Sequence, residues 1–138
     1  MSKFVTRIVE AIKAREIVEQ LFVYGVGQLD RLENQLTGTT YSSEFNSLLA
    51  FIQHFANGGN PGRKVKYLRG NDGVTEFEFI SKHLRIYAIQ QPGKKIILFG
   101  GIKKAADSSD NISAFRSIKK EYIEFLNRQN EKGKPNTK

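Results

Sequence analysis

The 138-residue chain contains no cysteine. That excludes a disulfide framework and a thiolate-ligated zinc site. Histidine is scarce too: His54 falls on the polar side of a helical repeat, and a lone histidine there implies no metal. No metal and no cofactor are therefore expected. No apolar run approaches the roughly 20 residues that a membrane helix needs. The N-terminus lacks a signal-peptide pattern, because Lys3, Arg7, Glu10 and Lys13 interrupt its apolar residues. These absences predict a protein with no membrane partner and are compatible with a cytoplasmic location.

Acidic residues are the other shortage, 14 against 22 Lys and Arg, for a net charge of +8. The imbalance is local. Residues 1–60 carry five Lys/Arg and six Asp/Glu, whereas residues 61–138 carry seventeen and eight. A positive excess confined to one half suits a polyanion, either nucleic acid or an acidic protein. The plainer alternative is a solvated basic surface.

What is present is an ordinary apolar fraction, 39%, in a length that suits one domain. Residues 3–12 fit a helix face or a strand, and their β-branched content favours strands over 4–11 and 17–24. A turn follows, then a short helix over 27–38. The clearest helix carries Phe45, Leu48, Leu49, Ile52, Phe55 and Ala56 at the helical period, with Ser42 or Ser43 as candidate cap and Gly58-Gly59 as its stop. Three strand-like runs come next, VTEFEFIS, HLRIYAIQ and KKIILFGGI, the last two joined at Pro92-Gly93 in the pattern of a type II turn. A polar loop, Asp107 to Asp110, precedes an amphipathic helix over 111–129, with Ile112, Phe115, Ile118, Tyr122 and Leu126 inward. Residues 1–129 are read as one domain and 130–138 as a disordered basic tail.

Strand residues alternate between faces. A two-residue turn at Pro92-Gly93 sets Ile89 opposite Ile96, Tyr87 opposite Leu98, Ile86 opposite Phe99 and Arg85 opposite Gly100. A turn of even length near Ser81-Lys82 sets Phe79 opposite Leu84 and Glu78 opposite Arg85; a loop of four keeps the same parity. One face then holds Phe77, Phe79, Leu84, Ile86, Ala88, Ile97 and Phe99, all needing cover. The other holds Glu76, Glu78, His83, Arg85, Tyr87, Leu98, Gly100 and Ile102. On that second face Arg85 would stand beside a glycine, with room above the sheet. Glu78 and Arg85 would form either an exposed cross-strand pair or part of a working face. Lys64, Lys66, Lys103 and Lys104 converge on the same region, and a guanidinium with mobile lysines suits phosphate oxygens.

The order of KVKYL (64–68), EFEFISKHLRIY (76–87), IILFGGIKK (96–104) and FRSIKKEY (115–122) resembles the RelE/ParE superfamily of toxins from type II toxin–antitoxin pairs, specifically its HigB-like branch. The resemblance covers roughly residues 41–125. It implies an α+β fold: a small twisted antiparallel sheet with helices packed on one face and a concave basic face left open. Residues 1–25 would be an N-terminal β-hairpin extension that compact toxins of the family lack.

By that resemblance the chain would be a ribosome-dependent mRNA endonuclease, working without metal by 2′-hydroxyl attack on the adjacent phosphate. Arg85, His83, Tyr87 and Lys104 would be catalytic. Lys64, Lys66, Arg69, Lys103, Arg116 and Lys119 would bind RNA. Tyr122 matches a family tyrosine, but its place on the apolar stripe marks it as core. The implied partners are a cognate antitoxin and the ribosome with its message; a homodimer is compatible. The alternative is a non-catalytic member of the same fold that binds nucleic acid or inhibits gyrase.

Overall fold

Two apolar runs separated by Pro92-Gly93 build the centre of the molecule. Gly93 takes φ +76°, the value a type II turn asks of its third residue. The computed structural model describes residues 2–70, 72–103 and 109–133. Its strands are β1 (Phe4–Ile8), β2 (Ile17–Val23), β3 (Val26–Gly27), β4 (Val65–Leu68), β5 (Glu76–Ile80), β6 (Leu84–Gln91) and β7 (Lys94–Ile102). The helices are α1 (Gln28–Leu36), α2 (Ser42–Ala56) and α3 (Ser109–Gly133). The protein is α+β, with an open sheet ordered β1-β2-β7-β6-β5-β4 and β3 paired to β2.

The sheet is mixed rather than wholly antiparallel. β1 runs antiparallel to β2, but β2 lies parallel to β7, with Ile17 opposite Lys94. The first strand ends at Ile8, three residues before the expected boundary. α3 continues to Gly133, so residues 130–133 are helical rather than part of a disordered tail; 134–138 lie outside the described residues, as do 104–108. Among the described residues no helix is long and apolar enough to cross a membrane.

Registers differ from expectation in two places. Ile89 does oppose Ile96, but a bulge at Leu98 then advances β7 by one residue. Tyr87 therefore opposes Phe99, Ile86 opposes Gly100 and Arg85 opposes Gly101. Phe99 moves with the bulge from the first face to the second. Between β5 and β6 four residues, 81–84, separate the end pair Ile80 and Arg85, so parity holds but pairing slides by two. Glu78 opposes Tyr87, and Phe79 opposes Ile86; Glu78 does not face Arg85.

Helices cover both faces, not one. Leu29, Leu32 and Leu36 of α1 and Phe45, Leu48 and Ile52 of α2 bury Phe77, Phe79, Leu84, Ile86, Ala88 and Ile97. On the opposite face Phe115 and Tyr122 of α3 pack with Phe4, Leu21, Tyr87, Ile89, Ile96 and Leu98. Complete burial of one such side chain contributes about 1.5–3 kcal/mol. The expected open concave face is thus occupied by α3.

Local capping supports this frame in ways the sequence did not suggest. α2 begins after Tyr41 with no side-chain cap, and Ser42 Oγ donates instead to Leu36 O. α1 is capped from β2: Gln20 Oε1 accepts from the backbone N–H groups of Leu29 and Asp30, both at 3.0 Å. A Cβ at Gly27 would stand 2.6 Å from that oxygen, so a larger residue there would push the capping side chain aside.

Candidate functional site

The connection between β5 and β6 gathers the polar groups with the most chemical scope. Glu44, in the first turn of α2, reaches across to it. Its Oε2 accepts from Ser81 Oγ and, at 2.7 Å, from the backbone N–H of His83. Its Oε1 lies 2.8 Å from His83 Nδ1. Burial alone would raise the Glu44 carboxyl, but the hydrogen bonds from Ser81 and from the backbone and ring of His83 outweigh it and hold it below its ordinary value. The helix N-terminus favours the same charged form.

The His83 ring is 37% exposed and stacks on Tyr41, centroids 4.7 Å apart. With Nδ1 held by a carboxylate, Nε2 is the nitrogen left to exchange a proton with a substrate. Two basic residues join the same loop, one by its backbone and one by its guanidinium. Lys103, half-buried, donates its backbone N–H to His83 O at 2.7 Å. Arg85 donates from Nη1 to the carbonyl oxygens of Leu84, at 2.8 Å, and of Ser81. A small cavity of about 60 Å³ beside Glu44 is lined also by Phe51, Lys64 and Ser81. Glu44, Ser81 and Tyr41 were not among the sequence candidates. No local pattern links position 44 to 83; only the packing of α2 against the β5–β6 loop does.

Two of the sequence-derived catalytic candidates are placed differently from expectation. Arg85 is only 7% exposed and spends Nη1 on its own loop. The expected space above its glycine neighbour is filled, since a Cβ on Gly101 would stand 2.5 Å from Asn111 Oδ1 of α3. Tyr87 is fully buried beneath Phe115, ring centroids 5.1 Å apart, and its hydroxyl donates to Glu78 Oε2 at 2.8 Å. Burial first, then the Glu78 hydrogen bond and charge, push its pKa well above the ordinary tyrosine range. Such a hydroxyl cannot reach a substrate proton. Lys104 lies outside the described residues.

Apart from Lys103, the RNA-binding candidates split into two groups. Lys119 is 3% exposed, and its ammonium bridges Glu76, at 2.6 Å, and Asp72, at 2.8 Å. Arg116 also reaches Glu76, at 3.1 Å, and donates to Arg69 O at 2.8 Å. These contacts fasten α3 to the sheet, and the cations they use are already neutralised. They form one wall of a cleft of about 420 Å³ that Arg69 and Lys120 also line. Lys64, Lys66 and Arg69 are exposed on and beside β4, an edge strand, and none has a side-chain ion pair among the described residues.

Searches of protein-family models, curated proteins and solved structures returned no match to this chain.

Proposed function

We propose that this chain is a RelE/HigB-like toxin that cleaves translated messenger RNA without metal, with His83 as its proton-transfer group. The observation that carries the reading is the Glu44–His83 dyad, set at the end of β6 with Lys103 and Arg85 bonded to the same loop. His83 Nε2 takes the proton of a ribose 2′-hydroxyl. The 2′-oxygen attacks the adjacent phosphorus, the bond to the 5′-oxygen breaks, and that oxygen is protonated as it leaves. Lys103 offsets the charge that gathers on the phosphoryl oxygens. Arg85, committed to the Ser81 and Leu84 carbonyls, becomes a positioning residue for the His83 loop. The ordered sequence elements from KVKYL to FRSIKKEY support the same assignment, and with it an antitoxin and the ribosome as partners.

A second reading, a non-catalytic member that binds nucleic acid or inhibits gyrase, is favoured by the burial of Arg85 and Tyr87. Induced expression with mapping of message ends separates the two. Growth arrest with cleaved messages in the parent, and neither with His83→Ala, supports the nuclease. Arrest with intact messages, unchanged by His83→Ala, overturns it in favour of binding alone.

A further inference from the structure

We infer that the β4 edge is a landing strip for single-stranded nucleic acid, with Tyr67 as its base-stacking platform. The inference rests on the polyanion part of the reading above and adds which surface is used and which strand form it takes.

RKVKYLR, residues 63–69, places four cations in seven residues with no acid among them. Arg63, Lys64, Lys66 and Arg69 are all exposed, and none is ion-paired among the described residues. The register sets Lys66 opposite Glu78, the one acid that would be expected to neutralise it. Glu78 is instead buried and accepts from Tyr87. This distinguishes the strip from α3, whose Lys119 and Arg116 are consumed by Glu76 and Asp72.

Tyr67 turns its ring to the Phe77 face of the sheet, the face on which Lys64 Nζ lies 5.6 Å from the Phe51 ring centroid, whereas Lys66 turns to the opposite, Glu78 face. Tyr67 is 61% exposed, an unusual exposure for so large an aromatic residue in a strand, and an edge contact with Phe77 at 5.1 Å braces its ring. β4 is a sheet edge, and Lys64 O pairs inward with Ile80 N. By the alternation of an antiparallel pair, Val65 and Tyr67 turn their N–H groups outward. An aromatic face on one side of the edge, cations on both sides and outward backbone donors between them match the bases and phosphates of an unpaired strand that follows the edge. A duplex hides its base faces and gives Tyr67 nothing to stack on.

The test is fluorescence anisotropy with a labelled single-stranded RNA and its duplex, at several salt concentrations. The parent is expected to prefer the single strand. Tyr67→Leu is expected to weaken that binding about tenfold, and Tyr67→Phe to retain it. Lys66→Ala is expected to lower the slope of log affinity against log salt by about 0.7, the loss of one phosphate contact. Equal affinity of Tyr67→Leu and parent, or preference for the duplex, overturns the platform. Message cleavage that depends on His83 while Tyr67→Leu binds normally leaves the nuclease standing without this strip. Ring-dependent binding in a parent that cuts no message does the reverse.

Discussion

Glu44 Oε1 lies 2.8 Å from His83 Nδ1 across 39 residues of sequence, and the same carboxylate also holds Ser81 and the His83 backbone. His83 is therefore fixed in position and in tautomer by a residue on another element. His83→Ala is expected to lower single-turnover RNA cleavage by about 10²–10⁴-fold. Glu44→Gln, which keeps the shape and loses the charge, is expected to lower the rate less and leave RNA affinity unchanged. Equal cleavage by His83→Ala and parent would remove His83 from the chemistry.

Stability should fall in acid in a defined window. Burial pushes the carboxyls of Glu44 and Asp72 upward, but hydrogen bonds from Ser81 and His83 to the first, and from Lys119 and the Val74 backbone to the second, win and leave both below their ordinary values. A folded value below the unfolded one means that the stabilisation is complete above the ordinary carboxyl range, near pH 4. It is lost as pH falls through the lower folded values. Urea midpoints measured down through this range should drop in the parent and drop less steeply in Glu44→Gln. Parallel profiles would count against the assignment.

Tyr87→Phe should separate structure from chemistry. The substitution leaves Glu78 without its buried donor and is expected to cost about 1–3 kcal/mol in urea unfolding. Cleavage per folded molecule should stay at the parental rate. A catalytic loss at full foldedness would restore Tyr87 to the site.

The α3 anchor is testable by a pair of substitutions. Lys119→Met leaves the 1%-exposed Glu76 with Arg116 as its remaining cation and one oxygen without its donor, and is expected to destabilise the fold by about 1–3 kcal/mol. Adding Glu76→Gln should recover much of that loss. Additive losses in the double variant would mean the two side chains are not coupled.

Gln20→Ala removes the remote cap of α1 and should cost about 0.5–2 kcal/mol. Chemical denaturation reads this directly; an unchanged midpoint would mean that water serves the freed N–H groups equally well.

The sequence was most legible where periodicity and turn chemistry agree. The stripe from Phe45 to Ala56 and the Pro92-Gly93 turn sufficed to place α2 and the β6–β7 hairpin. The parity that puts Arg85 and Tyr87 on one face and Phe77, Phe79 and Ile86 on the other was also readable. What covered that second face was not inferred, though a signal existed: Ile89 and Ile96 share its parity and are too apolar to face water. The bulge at Leu98 had no local mark, because its extra residue is as apolar as its neighbours. Glu44 was invisible as a site residue, since a glutamate in a helix's first turn is commonplace and its partner comes from another element.

The parallel pairing of β2 with β7 has a kinetic corollary. Ile17 meets Lys94 only after the stretch from β3 to β6 between them has been made, so β2 emerges from the ribosome with one side unpaired. Completion of the sheet at β2 waits for β7, and such distant contacts make for slow acquisition of the native topology.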